Sequence, residues 1–331
     1  MRKVDVRRGL KNLWIDLEYG WLLPWMAKLP LQWAYRLSDW RGRCNARHAR
    51  DWTELALEMA YVGERSAQAY RVICPVCPES EIRSLVTQRY QAVAREELDG
   101  ALTIAGRLDE IEMDAAPLHN VLAQRAAGRG LVVVMSHHDS FFMAMMLLAS
   151  TGCVAHLMIS DIVFDDRVHP RLRAFTRKKY DAFVARLNGG QFLSASAKNH
   201  AFFKAALRRG EVLMVVTDTP ADRADEKGTW VSWLGKRRKM ADGAVRIALE
   251  TDSQLLAMHT RHERAGLQRW TSSALVDPRD FSALEGAQLR EAVFAPLVQF
   301  LENVVRKDPG RWSAAHLLGE FGCDPEDVHA N

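Results

Sequence analysis

Two histidines and two aspartates hold most of the chemistry this chain could offer. Ser136-His137-His138-Asp139-Ser140 follows the apolar run Leu131–Met135 and precedes Phe141–Leu148, which reads as a helix. An imidazole at such a junction sits in low dielectric, where the helix dipole favours its neutral form, ready to take a proton. His137 is therefore the candidate general base, with His138 beside it as a second candidate. A base of this kind is helped by an orienting carboxylate. Asp139 is two residues away, a spacing that shares no helical face but can converge in a turn. Asp218 follows the apolar run Val212–Val216 and would open onto the same edge of a parallel sheet; its bland alternative is loop ordering or capping. Metal binding by the His-His-Asp run is disfavoured, since adjacent residues rarely converge on one ion and no other histidine has ligand spacing to the pair. Ser136 and Ser140 lack the G-x-S-x-G surroundings of an activated nucleophile, which leaves Ser140 a substrate-binding candidate.

The elements that must position these residues can be read from periodicity. Leu131–Met135 is continuously apolar, as in a strand buried on both faces, and similar runs recur at Val154–Ile159, Val212–Val216 and Leu255–Met258. Helical stretches lie between them at 141–149, 170–187, 197–209 and 241–251. Strands alternating with helices predict an α/β fold with a largely parallel sheet flanked by helices, in which ligands bind beyond the carboxyl ends of the strands. Before this core, 52–73 and a segment capped by Ser80 read as helices, separated by a Pro-rich turn. One unit is expected over 1–331, mainly helical over 1–125 and α/β over 126–331. With 48% hydrophobic and 26% charged residues, the chain can bury a core without disulfides. A net charge of +4 is too mild to argue for nucleic acid.

The stretch from Ser136 to Phe142 resembles the Gly-His-x-Gly-Asn-Trp-Glu strand end of the bacterial lipid A late acyltransferases, within the wider lysophospholipid acyltransferase group. The likeness continues in order along the chain. Arg186-Leu-Asn-Gly-Gly-Gln-Phe-Leu193 is similar to the family's Arg followed by Gly and a strand. Leu207 to Asp218 is similar to its leucine, glycine, strand and Asp segment. Gly228 to Gly235 is similar to its Gly-x-x-Val-x-Phe-Phe-Gly, and Asp308-Pro-Gly-Arg-Trp312 with His316 to its Pro-x-x-Trp and His. The resemblance implies a glycerolipid-acyltransferase-like fold with an N-terminal helical cap. It also implies transfer of a fatty acyl group from an acyl carrier protein or coenzyme A thioester, with no cofactor beyond that co-substrate. In the family the base is a histidine followed after four residues by Asp or Glu. Counting from His137 lands on Phe142, so the acid is missing. Asp139 or Asp218 could substitute, the base could act alone, or catalysis could be lost.

By the same resemblance Arg186 is expected to hold a phosphate or the acyl donor. Trp230 and Trp233 are expected on one side of a strand, lining an acyl groove, with sheet-core packing as the alternative. Arg167, Arg171, Arg173, Arg177, Lys178 and Lys179, and the run Lys236–Lys239, are either solvated faces or a dock for an acidic carrier protein, phosphopantetheine or anionic headgroups. Cys74 and Cys77 form a C-P-V-C pair that lacks half of a zinc site and reads as a turn. The five cysteines make no disulfide framework, so a reducing compartment is expected.

Five of the ten tryptophans fall in the first 40 residues. Leu10, Trp14, Leu17 and Trp21 share a helical face, with Arg2, Lys3, Arg7, Arg8 and Lys11 as a basic flank. Pro24 and Pro30 interrupt the segment, and the uncharged stretch Tyr19–Ala27 is too short for the ~20 residues of a span. No cleavable signal is evident. The rings belong either to a helix lying in a bilayer interface or to the core of the cap. The expectation is a cytoplasmic protein with possible peripheral contact at the inner face of the membrane. The leading expected function is acyl transfer to a hydroxyl or amine of a glycolipid or related acceptor. The alternatives are a degenerate relative that binds an acyl carrier or lipid, and an acyltransferase acting on a soluble metabolite.

Overall fold

The structure is a computed structural model and describes residues 11–56, 58–160, 165–221 and 228–322. Arg2, Lys3, Arg7, Arg8, Leu10 and Cys323 lie outside the described residues. The strands are β1 Glu112–Met113, β2 Leu131–Met135, β3 Ala155–Ile159, β4 Phe192–Ser194, β5 Val212–Val216, β6 Thr229–Trp233, β7 Lys236–Met240, β8 Gln254–Arg264 and β9 Leu267–Ser272. Seven form one sheet in the order β1-β9-β8-β2-β5-β3-β4. β2, β3, β4, β5 and β8 run parallel, and only the β8–β9 pairing is antiparallel. β6 and β7 form a separate antiparallel hairpin.

All five residues of β2 are buried, because the strand carries a hydrophobic layer on each face. Leu131, Val133 and Met135 join one cluster with the helices α3 Phe141–Ser150 and α4 Pro170–Val184 and with the N-terminal cap. Val132 and Val134 join the other, with α5 Ala197–Arg208, α6 Gly243–Thr251 and α7 Gly286–Lys307. Each such side chain contributes about 1.5–3 kcal/mol by leaving water. A continuous apolar run was therefore a dependable sign of these central strands. β8 is longer than its apolar stretch: beyond Met258 its burial alternates, since there one face is no longer covered.

The N-terminal cap contains α1 Leu31–His48 and α2 Glu79–Ile104, which cross closely at Gly42; a Cβ there would overlap the Gln91 backbone. Arg41 of α1, buried, bridges the carboxylates of Glu18 and Glu97, and the Tyr19 hydroxyl donates to Glu97. This polar knot ties the first helical segment to α2. The helix expected over 52–73 is two pieces, Trp52–Ala56 and Val62–Ile73. Glu58 and Tyr61 between them adopt left-handed backbone conformations. A reciprocal capping box starts the first piece, with Asp51 accepting from the Glu54 amide and Glu54 from the Asp51 amide.

The expectation that Trp230 and Trp233 share a side is corrected. Three residues is an odd separation on a strand of period two, so they point to opposite faces of β6. Trp233 is fully buried against Trp312, whereas Trp230 is half-buried on the other face. The basic run Lys236–Lys239 lies in β7, where Arg237 pairs with Glu291 and the buried Arg238 donates to the carbonyls of Trp233 and Leu318.

Candidate active site

The site follows from strand register. In the parallel β2–β5 ladder Met135 is level with Val216. Two residues further along each strand stand His137 and Asp218, so the pairing that aligns the strands also aligns the histidine with an acid. His137 Nδ1 lies 2.7 Å from Asp218 Oδ1, and the His137 amide donates to Oδ2 at 2.8 Å. Trp312 Nε1 donates to the same Oδ2 at 2.6 Å. Three donors converge on a fully buried carboxylate.

Burial alone would drive Asp218 toward its neutral form, but the His137 ring, its amide and the Trp312 indole hold it below the ordinary carboxylate value. An ionised carboxylate only accepts, so Nδ1 must carry the proton and Nε2 is left with a lone pair. Burial also opposes charge on the His137 ring. The Asp218 carboxylate outweighs it, helped by Glu96, and raises the ring above the usual histidine value. About a third of the His137 side chain is exposed, and among the described residues nothing hydrogen-bonds Nε2.

The segment 308–316 braces this pair from the far end of the chain. Ser313 donates to the His137 carbonyl through both its amide, at 2.8 Å, and its hydroxyl, at 3.0 Å. Arg311 donates to Asp139 at 2.7 Å. His138 turns away from the dyad: its Nε2 meets the Asp308 carbonyl at 2.9 Å and its ring packs edge-on to His259. Asp139 also turns away, toward Arg311, Arg95 and the His262 amide. These partners overcome its burial and hold it down to about 2. Its φ of +49° falls where the family motif carries glycine, and Asp is among the few side chains that tolerate this region. Ser140 precedes α3 as its N-cap residue; its carbonyl accepts from Thr260, and its buried hydroxyl has no partner among the described residues.

Phe142 stands where the family's acid would be and is 2% exposed. Its ring stacks on Phe141 at 4.2 Å and on Phe183 at 4.9 Å, and the Lys179 ammonium lies 4.3 Å from its centre. Arg186 is not brought to the dyad. It lies between α4 and β4, at the amino edge of the sheet, and forks onto Asp109 at 2.6 and 3.2 Å. Trp233 reaches the site only indirectly, through Trp312. The sequence offered Trp312, with Arg311 beside it, as part of a Pro-x-x-Trp echo but gave neither a role; Arg95 and Ser313 carried no signal.

Among the described residues no cluster of His, Cys, Asp or Glu could hold a metal ion. A part-exposed histidine on a fully buried aspartate, at the carboxyl edge of the parallel sheet of an α/β fold and with the distal ring nitrogen open, is an arrangement chemically suited to general base catalysis. Residues 10–317 match the family described as bacterial lipid A biosynthesis acyltransferase, so the chain belongs to that family and is an acyltransferase. Comparison with individual curated proteins gives no match.

Proposed function

We propose that the protein moves a fatty acyl group from an acyl carrier protein or coenzyme A thioester to a hydroxyl or amine acceptor, with His137 as base and Asp218 as its orienting acid. The observation that carries this reading is the 2.7 Å His137–Asp218 contact on adjacent strand ends. Nε2 takes the proton as the acceptor oxygen or nitrogen attacks the thioester carbonyl carbon. The C–S bond then breaks, and the ring returns the proton to the departing thiolate. The products are an ester or amide and a free thiol. Asp218 remains ionised and keeps the proton on Nδ1, as the carboxylate does in a serine protease triad. Mass spectrometry of lipid and soluble extracts from cells making the wild type, His137→Ala, or neither tests it. An acylated species is expected with the wild type alone, and the same species formed by His137→Ala would refute the mechanism.

Peripheral contact with the inner face of the cytoplasmic membrane belongs to the same proposal. Trp21, Trp25, Trp33 and Trp40 are 63%, 41%, 53% and 56% exposed, which favours an interface over a core role. Exposed Lys28, Arg36, Arg43 and Arg47 accompany them, a composition suited to anionic lipid. No helix among the described residues is long and apolar enough to cross a membrane. The wild type is expected to sediment with phosphatidylglycerol vesicles, and replacing the four tryptophans by serine should weaken that binding at least about tenfold. A wild type that stays in the supernatant would remove membrane contact from the reading.

A further inference from the structure

The turn between the helix Val62–Ile73 and α2 carries two cysteines that the dyad does not use. Cys74-Pro75-Val76-Cys77 is closed by a hydrogen bond from the Cys77 amide to the Cys74 carbonyl at 3.1 Å. Such a turn holds its first and fourth Cα within about 7 Å, and a disulfide needs them about 4.4–6.8 Å apart. Pro75 occupies the second turn position, where its fixed φ sets the bend before any bond forms. Both cysteines are half-buried free thiols, and Val76 at the tip is 93% exposed, so a small reagent can reach the turn. Among the described residues no third ligand completes a metal site with them. Burial, the neighbouring Cys74 thiol and the Glu81 carboxylate push the Cys77 thiol up to about 11. A strongly oxidising pair owes its ease of reduction to a stabilised thiolate; Cys77 offers none, so the open form is not favoured.

We infer that Cys74 and Cys77 form a redox-reversible disulfide that staples the turn between two helices of the cap. The inference stands apart from the acyl-transfer reading. The oxidant is a low-molecular-weight disulfide of the glutathione class. With Cys77 held protonated, Cys74 makes the first attack: its thiolate displaces one thiolate from the oxidant and leaves a mixed disulfide on Cys74. Cys77 then gives up its proton and attacks the Cys74 sulfur, and the second thiolate leaves. The two cysteines together lose two electrons and two protons, and the oxidant takes up both to become two thiols. An excess of reducing dithiol runs the sequence backwards. The closed staple fixes the carboxyl end of the helix Val62–Ile73, where the Cys74 amide donates to the Tyr70 carbonyl at 2.8 Å. Tyr70 is fully buried, and its hydroxyl donates to the Trp312 carbonyl at 3.4 Å. The staple therefore braces the wall behind Trp312 and leaves the atoms of the dyad untouched.

Peptide mass mapping tests it on the whole chain, equilibrated with oxidised glutathione in about tenfold excess over reduced and then alkylated. In most molecules the peptide holding both cysteines should lose about 2 Da and both alkylation sites, and dithiothreitol should restore them. Cys44 and Cys153 should stay open to alkylation. Cys77→Ser should trap the glutathione adduct on Cys74 several-fold more than Cys74→Ser traps it on Cys77. Oxidation should also raise the urea midpoint of the wild type and leave that of either serine variant unmoved. Two alkylated thiols in the oxidised wild type, or glutathione adducts on the pair in place of the internal bond, overturn the inference. So does a closed disulfide that leaves the urea midpoint where it was, since the bond is then no staple. Equal adducts in the two variants overturn the order of attack.

Discussion

Asp218→Asn is expected to lower kcat for acyl transfer by about 10³–10⁴-fold while leaving the fold intact, by analogy with the matching change in a serine protease triad. The reason lies in the three donors on Asp218. The asparagine carbonyl can replace Oδ2, which accepts from the His137 amide and from Trp312 Nε1. Its amide nitrogen then occupies the place of Oδ1 and donates to Nδ1 instead of accepting from it. The ring must move its proton to Nε2, the nitrogen that has to be free to act as base. Circular dichroism should be unchanged, and KM should move far less than kcat. A variant retaining more than about a tenth of wild-type kcat would show that Asp218 is not the positioning acid.

The pH profile supplies a second readout that a merely structural role would not move. With His137 as the proposed base, transfer requires a neutral ring, whose pKa is raised above 6.5, so wild-type activity should climb with pH through a limb above that value. In Asp218→Asn the influence of burial, which lowers the ring, is opposed only by Glu96, so the limb shifts to lower pH. Stability follows the opposite sense for His137: its contribution is fully present below about 6.5 and is lost as pH rises through the folded value. The depressed Asp218 contributes above the ordinary 3.8 and loses that contribution as pH falls through its folded value.

How much of this was legible in the sequence depended on whether local pattern or distant pairing decided it. β2 and β5 were readable because strands buried on both faces must be apolar at every position. β7 was not, since Lys236–Met240 places a buried arginine beside exposed Lys236 and Arg237 in a strand whose charges are satisfied by residues far along the chain. At the site, Asp218 was reachable as a candidate because both residues end strands on one edge of a parallel sheet. The choice between Asp218 and Asp139 was not, because it turns on register and on which cations claim Asp139. Those cations, Arg95 and Arg311, come from a cap helix and from the C-terminal Pro-x-x-Trp segment, and no local pattern ties either to Asp139. Arg186 shows the converse: a motif match placed it in the site, while chain direction delivers it to the other edge of the sheet.

That division of labour between the two aspartates gives a second large effect, this time on stability. Asp139→Ala is expected to destabilise the protein by about 1–3 kcal/mol, because it removes the charge-assisted bond from Arg311 and the acceptor of the His262 amide, while Arg95 keeps Asp39 and Arg311 keeps Asp308. The two arginine side chains are only 12% and 18% exposed, so solvent offers little compensation. Alanine also has to adopt φ near +49°, a left-handed conformation costing roughly 1–2 kcal/mol. Asp139→Gly removes that second cost but not the first, and Asp139→Asn keeps both the tolerated backbone and an acceptor for the His262 amide. Urea denaturation should therefore rank the variants wild type, Asn, Gly, Ala in falling stability. The pH dependence should change with them: the wild type holds the Asp139 contribution above the ordinary 3.8 and loses it as pH falls toward about 2, whereas the three variants lack it throughout. Each folded variant should keep the His137–Asp218 pair and hence most of its kcat. If Asp139→Asn instead lost activity as severely as Asp218→Asn while remaining stable, Asp139 would be part of the catalytic pair and the register-based assignment would be wrong.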